Sequence, residues 1–265
     1  MNRCFLTLAA TFLFSAAAWG QQTSGQGTPS AQMNAQNANN VCRIYFVKPK
    51  MGAVAQWEQA RKHHVQFHQQ HNDTWTWYTY QIVTGENTGN YVTSTCGHAW
   101  KDFDEWEKKM GAADATDADA SMGPFEVSNT NSFDVYRAEM SMAPGNRPPT
   151  PMAAVTVYVL HPLATDSFTA AITKIKAALE KQPNWPKNGG WLQLANGGEV
   201  PVFVLLSDKQ GWADYAPLEK SVREAVTEAY GKEEADALLK TLRDSTAHIY
   251  TETAVYRPDL SYLPK

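Results

Sequence analysis

A heptapeptide occurs twice in this 265-residue chain. Val135-Tyr136-Arg137-Ala138-Glu139-Met140-Ser141 returns as Val255-Tyr256-Arg257-Pro258-Asp259-Leu260-Ser261, at an offset of 120. Five of the seven positions are identical or exchange only Glu for Asp, and a sixth exchanges Met for Leu. A chain that writes the same segment twice is one folding unit repeated, so the elements before each copy should correspond.

They do. In the first half, Arg43–Val47 reads as a strand stopped by Pro49, and a helix follows over Ala53–His71. Gly85, Asn87 and Gly89 mark a turn between strands Trp75–Val83 and Asn90–His98. Trp100-Lys101-Asp102-Phe103 opens a second helix, the small acidic segment Ala112–Ser121 follows with Asp117–Ser121 reading as a solvated loop, and Ser132–Met140 closes the unit as a strand. Pro144, Pro148, Pro149 and Pro151 then make residues 142–153 a linker. In the second half, Val155–Leu160 is a strand. Asp166 is the expected N-cap of a helix with the apolar stripe Phe168, Ile172, Ile175 and Leu179. Strands Trp191–Ala195 and Val200–Ser207 flank Asn196-Gly197-Gly198, and Trp212-Ala213-Asp214-Tyr215 matches residues 100–103. Helices Leu218–Ala229 and Glu233–Arg243 break at Gly231, and a strand ending in Val255-Tyr256-Arg257 closes the chain.

Two β-α-β-β-α-β units, residues 41–141 and 154–265, read as tandem ferredoxin-like repeats in an α+β chain. Each unit makes a four-stranded sheet with helices on one face, and the sister sheet covers the other face, giving an intramolecular α/β barrel. On this element order and these internal matches, residues 41–261 resemble the dimeric α/β-barrel superfamily in a fused, two-repeat form. The resemblance implies a set of roles: cofactor-free monooxygenases, haem-using enzymes, stress-response proteins and non-catalytic ligand binders. It also makes a monomeric pseudo-dimer the expected assembly.

The repeats differ where chemistry is concerned. At 100° per residue, Trp57, His64, His68 and His71 fall within about 60° on the first helix, while His63 points away. The matching positions of the second repeat carry Ile175 opposite His64 and Leu179 opposite His68. In the sheets, Tyr45, Tyr78, Tyr80, Tyr91 and Thr93–Thr95 stand where the second repeat has Leu192, Leu194 and Phe203–Leu206. A polar, aromatic lining suits a pocket and an aliphatic one suits a core, so a site is expected in the first repeat. The spacing of His64, His68 and His71 leaves three readings open: ligands for a divalent metal or a haem iron, ligand-facing groups with no cofactor, or packed structural side chains.

Other signals are simpler. Arg3, the apolar run Cys4–Ala18 and the small residues before Gln21 read as a signal peptide over residues 1–20, too short for a membrane span. Residues 21–40, rich in Gln, Asn, Ser and Gly, read as a disordered leader. Export places the chain in the periplasm or outside the cell. There the start of the first strand faces the end of the third, so Cys42 and Cys96 are expected to form a disulfide, with a Cys42/Cys96/His98 metal site as the alternative. The 23 Lys and Arg against 27 Asp and Glu give a net charge of −4, which argues against nucleic acid as partner. Asp117–Ser121 lacks the Gly and Glu of a calcium loop, at Met122 and Ser128. Arg137 and Arg257 are expected to pair with Glu139 and Asp259. Trp77, Trp191, Trp100 and Trp212 recur in both halves as packing residues. No nucleophile triad, phosphate loop or dinucleotide fingerprint is visible. The reading is an exported binder of a small aromatic or apolar molecule, with an oxidoreductase or a pocketless partner-binding protein as alternatives.

Overall fold

The computed structural model describes residues 38–265; the expected signal peptide and nearly all of the expected leader lie outside them. The first repeat runs β1 (Val41–Pro49), α1 (Val54–Gln70), β2 (Tyr78–Ile82), β3 (Tyr91–His98), α2 (Trp100–Trp106), α3 (Ala112–Ser121) and β4 (Glu126–Tyr136). The second runs β5 (Met152–Leu160), α4 (Thr165–Leu179), β6 (Gly189–Asn196), β7 (Val202–Lys209), α5 (Val222–Tyr230), α6 (Lys232–Ser245) and β8 (Thr246–Tyr256). All strand pairs are antiparallel, and the eight strands close into a barrel in the order β1-β3-β2-β8-β5-β7-β6-β4. Each repeat contributes the ferredoxin-like order, β4-β1-β3-β2 and β8-β5-β7-β6. Two seams, β2 with β8 and β6 with β4, join the halves.

The repeated heptapeptide lies at these seams. Val255 stands opposite Gln81, and Val135 stands opposite Gln193. Arg257 donates to the Gln81 side chain of the other repeat, and Arg137 donates to that of Gln193. Ser261 Oγ accepts the Thr79 N–H at 2.9 Å while donating to the Arg257 carbonyl. Ser141 Oγ does the same with the Trp191 N–H, at 2.8 Å, and the Arg137 carbonyl. The seam is thus stitched reciprocally, each repeat clasping the other's second strand. Arg137 also pairs with Glu139, and Arg257 with Asp259, as their spacing predicts.

Period-two alternation sends neighbouring side chains to opposite faces of the sheet. Val47, Tyr91, Thr93 and Thr95 face the helices and are buried there. Trp57, Ala60, Met122 and Leu260 complete that core in the first repeat. In the second, Phe168, Ile172, Trp191 and Phe203 do so with Leu160 and Met140. Trp77 and Trp191 are buried, whereas Trp100 and Trp212 are exposed, so only the first of the two repeated tryptophan pairs packs into the core.

Several boundaries differ from expectation. Residues 112–121 are helix α3, so Asp117–Ser121 is not a loop, and α3 is continuous with α2 through one wide turn at Glu107–Gly111. Alanine, the strongest helix former, overrides the acidic composition. Asp166 sits in the first turn of α4 without capping it, since Ala164 holds the N-cap position. The segment 212–215 forms a single tight turn where 100–103 begins a helix. Strand β4 starts at Glu126 and ends at Tyr136, because residues 137–141 turn away to make the seam clasp. Helix α5 begins after Ser221, whose hydroxyl accepts the Glu224 N–H, and Gly231 ends it at φ +85°.

Candidate functional site

Alternation divides the expected site into two spaces on opposite faces of the first repeat's sheet. The first lies between the sheet and helices α1 and α3, a cavity of ≈ 60 Å³ lined by Tyr45, Trp57, Arg61, His64, His68 and Asp114 among others. Helix α1 brings Trp57, His64 and His68 inward at the expected spacing, and all three are buried. Trp57 packs on Tyr91 and donates its indole N–H to Glu126 at 2.8 Å.

Each imidazole is held from behind by a carboxylate. His64 Nδ1 lies 2.7 Å from Asp117 Oδ2, and His68 Nδ1 lies 2.9 Å from Asp73 Oδ2. An ionised carboxylate only accepts, so each Nδ1–H donates, and in the neutral imidazole the lone pair is then on the Nε2 that faces the cavity. Asp73 is itself fixed by the Trp75 backbone N–H and by the indole N–H groups of Trp77 and Trp106. Both Nε2 atoms approach Asp114 Oδ1, at 3.3 Å from His64 and 3.5 Å from His68. Asp114 Oδ1 is nevertheless buried without a hydrogen-bond partner among the described residues, and so is Arg61 Nη2. The Arg61 Nε donates to the Leu260 carbonyl at 3.1 Å. Burial, partly offset by the Asp73 hydrogen bond, holds the His68 imidazole below its usual pKa. Burial also pushes the Tyr45 phenol up to about 12, so it stays protonated at neutral pH.

His71 does not join this group. It is exposed, and its Nδ1–H donates to the Phe67 carbonyl of its own helix at 2.9 Å. The angular arc predicted from ideal geometry reaches past the end of α1, where the backbone turns out toward solvent at Asn72 (φ +52°). Asp114 and Asp117 take its place as partners. Their i, i+3 spacing would have identified them had residues 112–121 been read as a helix. A space of ≈ 60 Å³ holds an ion with a water or two, and no macrocycle, so haem does not fit at these imidazoles.

The second space is the barrel lumen, a cavity of ≈ 620 Å³. Tyr78 and Tyr80 point here, away from Tyr45 and the histidines. Ile44, Phe46, Val92, Leu194, Val204 and Leu206 line it and are only half-buried, because no side chain among the described residues packs between them. Asp134 and Glu252 also face the lumen, and burial raises both carboxyls above their ordinary range. Arg147, from the segment joining the repeats, is neutralised by a two-point pairing with Asp208. Leu192, Leu194, Val204 and Leu206 of the second repeat, which looked like core, therefore form part of a pocket wall, whereas Phe203 and Leu205 do pack in the core. Cys42 and Cys96, paired across β1 and β3, are joined by a disulfide, and His98 instead bonds Thr95 and stacks on Trp75.

No family model and no curated protein matches the sequence. Among solved structures, a candidate monooxygenase from Fusobacterium nucleatum subsp. nucleatum superimposes with a TM-score of 0.52 at 11% identity, over 83% of this chain and 93% of that one. A candidate monooxygenase from Lactobacillus acidophilus gives 0.50 at 6% identity, over 85% and 97%. An anthrone oxidase-like protein gives 0.49 at 14% identity, over 84% and 93%. The likeness is one of fold: a mixed α+β chain whose two ferredoxin-like halves close one eight-stranded antiparallel barrel.

Proposed function

We propose that the chain binds an uncharged aromatic or apolar small molecule inside its barrel. The observation that carries this reading is the ring of half-buried aliphatic and aromatic side chains around ≈ 620 Å³ of lumen. Ligand pockets typically enclose about 300–1,000 Å³ with apolar walls and a few placed polar groups. Covering that wall with a ring system is favourable by roughly 25 cal/mol per Å² of apolar surface removed from water. The polar groups suit a neutral partner: burial raises the pKa of the Tyr78 and Tyr80 phenols, and Asp134 and Glu252 have carboxyls shifted toward the protonated form that donates to carbonyl or hydroxyl oxygens. Export is part of the proposal, supported by the N-terminal apolar segment and by a disulfide of the kind that oxidising compartments maintain.

The test is titration of the full chain with N-phenyl-1-naphthylamine, following probe emission and the total tryptophan fluorescence. Saturable binding by the native chain that Val204→Trp abolishes without unfolding supports the lumen. Equal binding by both proteins, or none by either, overturns it. A second reading, an oxidoreductase acting on the same bound ring, draws on the monooxygenase description of two structural neighbours. Oxygen uptake with a hydroxylated polycyclic substrate separates it from binding alone.

A further inference from the structure

The geometry points to a divalent transition-metal site at His64, His68 and Asp114, on the helix side of the sheet and separate from the lumen. One atom from each residue lies within 4.8 Å of the other two. Two edges of that triangle, 3.3 Å and 3.5 Å from Asp114 Oδ1 to the Nε2 atoms of His64 and His68, are long for the hydrogen bonds that imidazole and carboxylate would otherwise make. They match a coordination polyhedron instead. Donors at about 2.0–2.1 Å from a tetrahedral ion stand about 3.3 Å apart.

The surrounding charges agree. Asp73, Asp114 and Asp117 converge on the two imidazoles with Arg61 as the buried cation beside them. With neutral imidazoles, these three carboxylates outnumber the one guanidinium, on which Glu126 also acts, and a dication offsets the negative surplus. Both rings carry the backing that ligating histidines require, an Nδ1–H donated to a carboxylate that fixes the tautomer and raises Nε2 basicity. The unpartnered Asp114 Oδ1 would gain in the ion the partner it lacks in the protein. Two imidazoles and one carboxylate suit Zn²⁺ or another late first-row ion, with at least one position open to water or an oxygen-donor ligand. Arg61 Nη2, also unpartnered, lines the same cavity and would receive a negatively charged oxygen on that ligand.

The experiment uses the full chain stripped with chelator and dialysed, then titrated with Co²⁺ and followed by visible absorption. The expected result is one equivalent of Co²⁺ with the d–d bands of a four- or five-coordinate site, displaced by Zn²⁺, and a Zn²⁺-dependent rise in Tm. Asp114→Asn and His64→Gln should lose the bands, whereas His71→Gln should keep them. Asp117→Asn should keep the bands and weaken affinity about 10–100-fold, since it removes backing and not a ligand. Absence of bands from the unmodified chain at excess Co²⁺ overturns the site, and that arm needs no variant to fold. Bands that persist in Asp114→Asn, or vanish in His71→Gln, also overturn it.

Discussion

Ser261 Oγ accepts the buried Thr79 N–H at 2.9 Å across the seam between β8 and β2, and no ladder partner replaces it. Its counterpart is Ser141 with the Trp191 N–H. Replacing either serine with alanine leaves a buried donor unsatisfied, which costs about 1–3 kcal/mol. Ser141→Ala and Ser261→Ala should each lower stability by that amount in urea denaturation. The double variant should be close to additive, because the clasps sit at opposite seams.

Asp73 gathers four donors in the interior: His68 Nδ1–H, the Trp75 N–H and the indoles of Trp77 and Trp106. Truncating it strands all four at a site whose side chain is 1% exposed. Asp73→Ala should therefore destabilise by about 3–5 kcal/mol, the range for breaking a buried charged network. Chemical denaturation of the metal-free protein measures it, and a loss below about 1 kcal/mol would show that the network rearranges around water.

The pH dependence follows from His68 and His98. Burial is the first cause of both depressed imidazole pKa values, opposed at His68 by Asp73 and at His98 by Asp102. A histidine whose folded pKa lies below its unfolded value contributes stability that is complete above about pH 6.5 and declines as the pH falls. Unfolding free energy should be flat from about pH 8 to 7 and fall as the pH drops below about 6.5. In His68→Gln that slope should be shallower. An unchanged slope would assign the transition to other groups.

Gly197 closes the β6–β7 turn at φ +98°, and a Cβ there would stand 2.4 Å from the Asn131 carbonyl oxygen. Both the backbone conformation and the space exclude a side chain. Gly197→Ala should cost about 1–3 kcal/mol for the conformation alone, with more from the clash, read as a drop in Tm.

The repeat and that turn were legible in the sequence because they depend on local chemistry, a repeated Val-Tyr-Arg-x-x-x-Ser segment and an Asn-Gly-Gly turn, but the seam clasp was not, since residues 137–140 read as a continuation of the strand that ends at Tyr136. The Cys42–Cys96 pairing was legible from strand order alone, since β1 and β3 are neighbours in any such sheet. The site was legible only in part. His64 and His68 followed from helical periodicity, but His71 failed because a helix end is set by backbone solvation that periodicity does not encode. Asp114 was hidden by composition, since the acidic, alanine-rich segment 112–121 was not read as a helix. Tyr45 and the pair Tyr78 and Tyr80 were grouped by residue type, although strand parity assigns them to opposite faces. Whether a barrel packs solid or stays hollow depends on the summed volumes of eight strands, and no single strand carries that information.

Asp134 gives the lumen a measurable signature. Its carboxyl faces the cavity, and burial raises its pKa against the one hydrogen bond that favours the anion, from Ser132 Oγ at 2.7 Å. A carboxyl raised in the folded state contributes stability that is full below its unfolded pKa, near 3.9, and is lost as the pH climbs through the folded value. The native chain therefore carries a penalty at neutral pH that a neutral isostere would not. Asp134→Asn keeps an acceptor for Ser132 and removes the ionisable group, so it should be more stable than the native chain at pH 7. The gap should close as the pH approaches 4. Such a penalty is what a polar group retained for binding imposes on a stable scaffold. The Asn amide donates and accepts where the protonated carboxyl does, so the same substitution should keep binding of a carbonyl-bearing aromatic ligand while it strengthens the fold. Paired denaturation at pH 7 and pH 4 measures the first effect and ligand titration the second; a less stable Asp134→Asn at pH 7 would mean the carboxylate is held ionised by partners in the lumen.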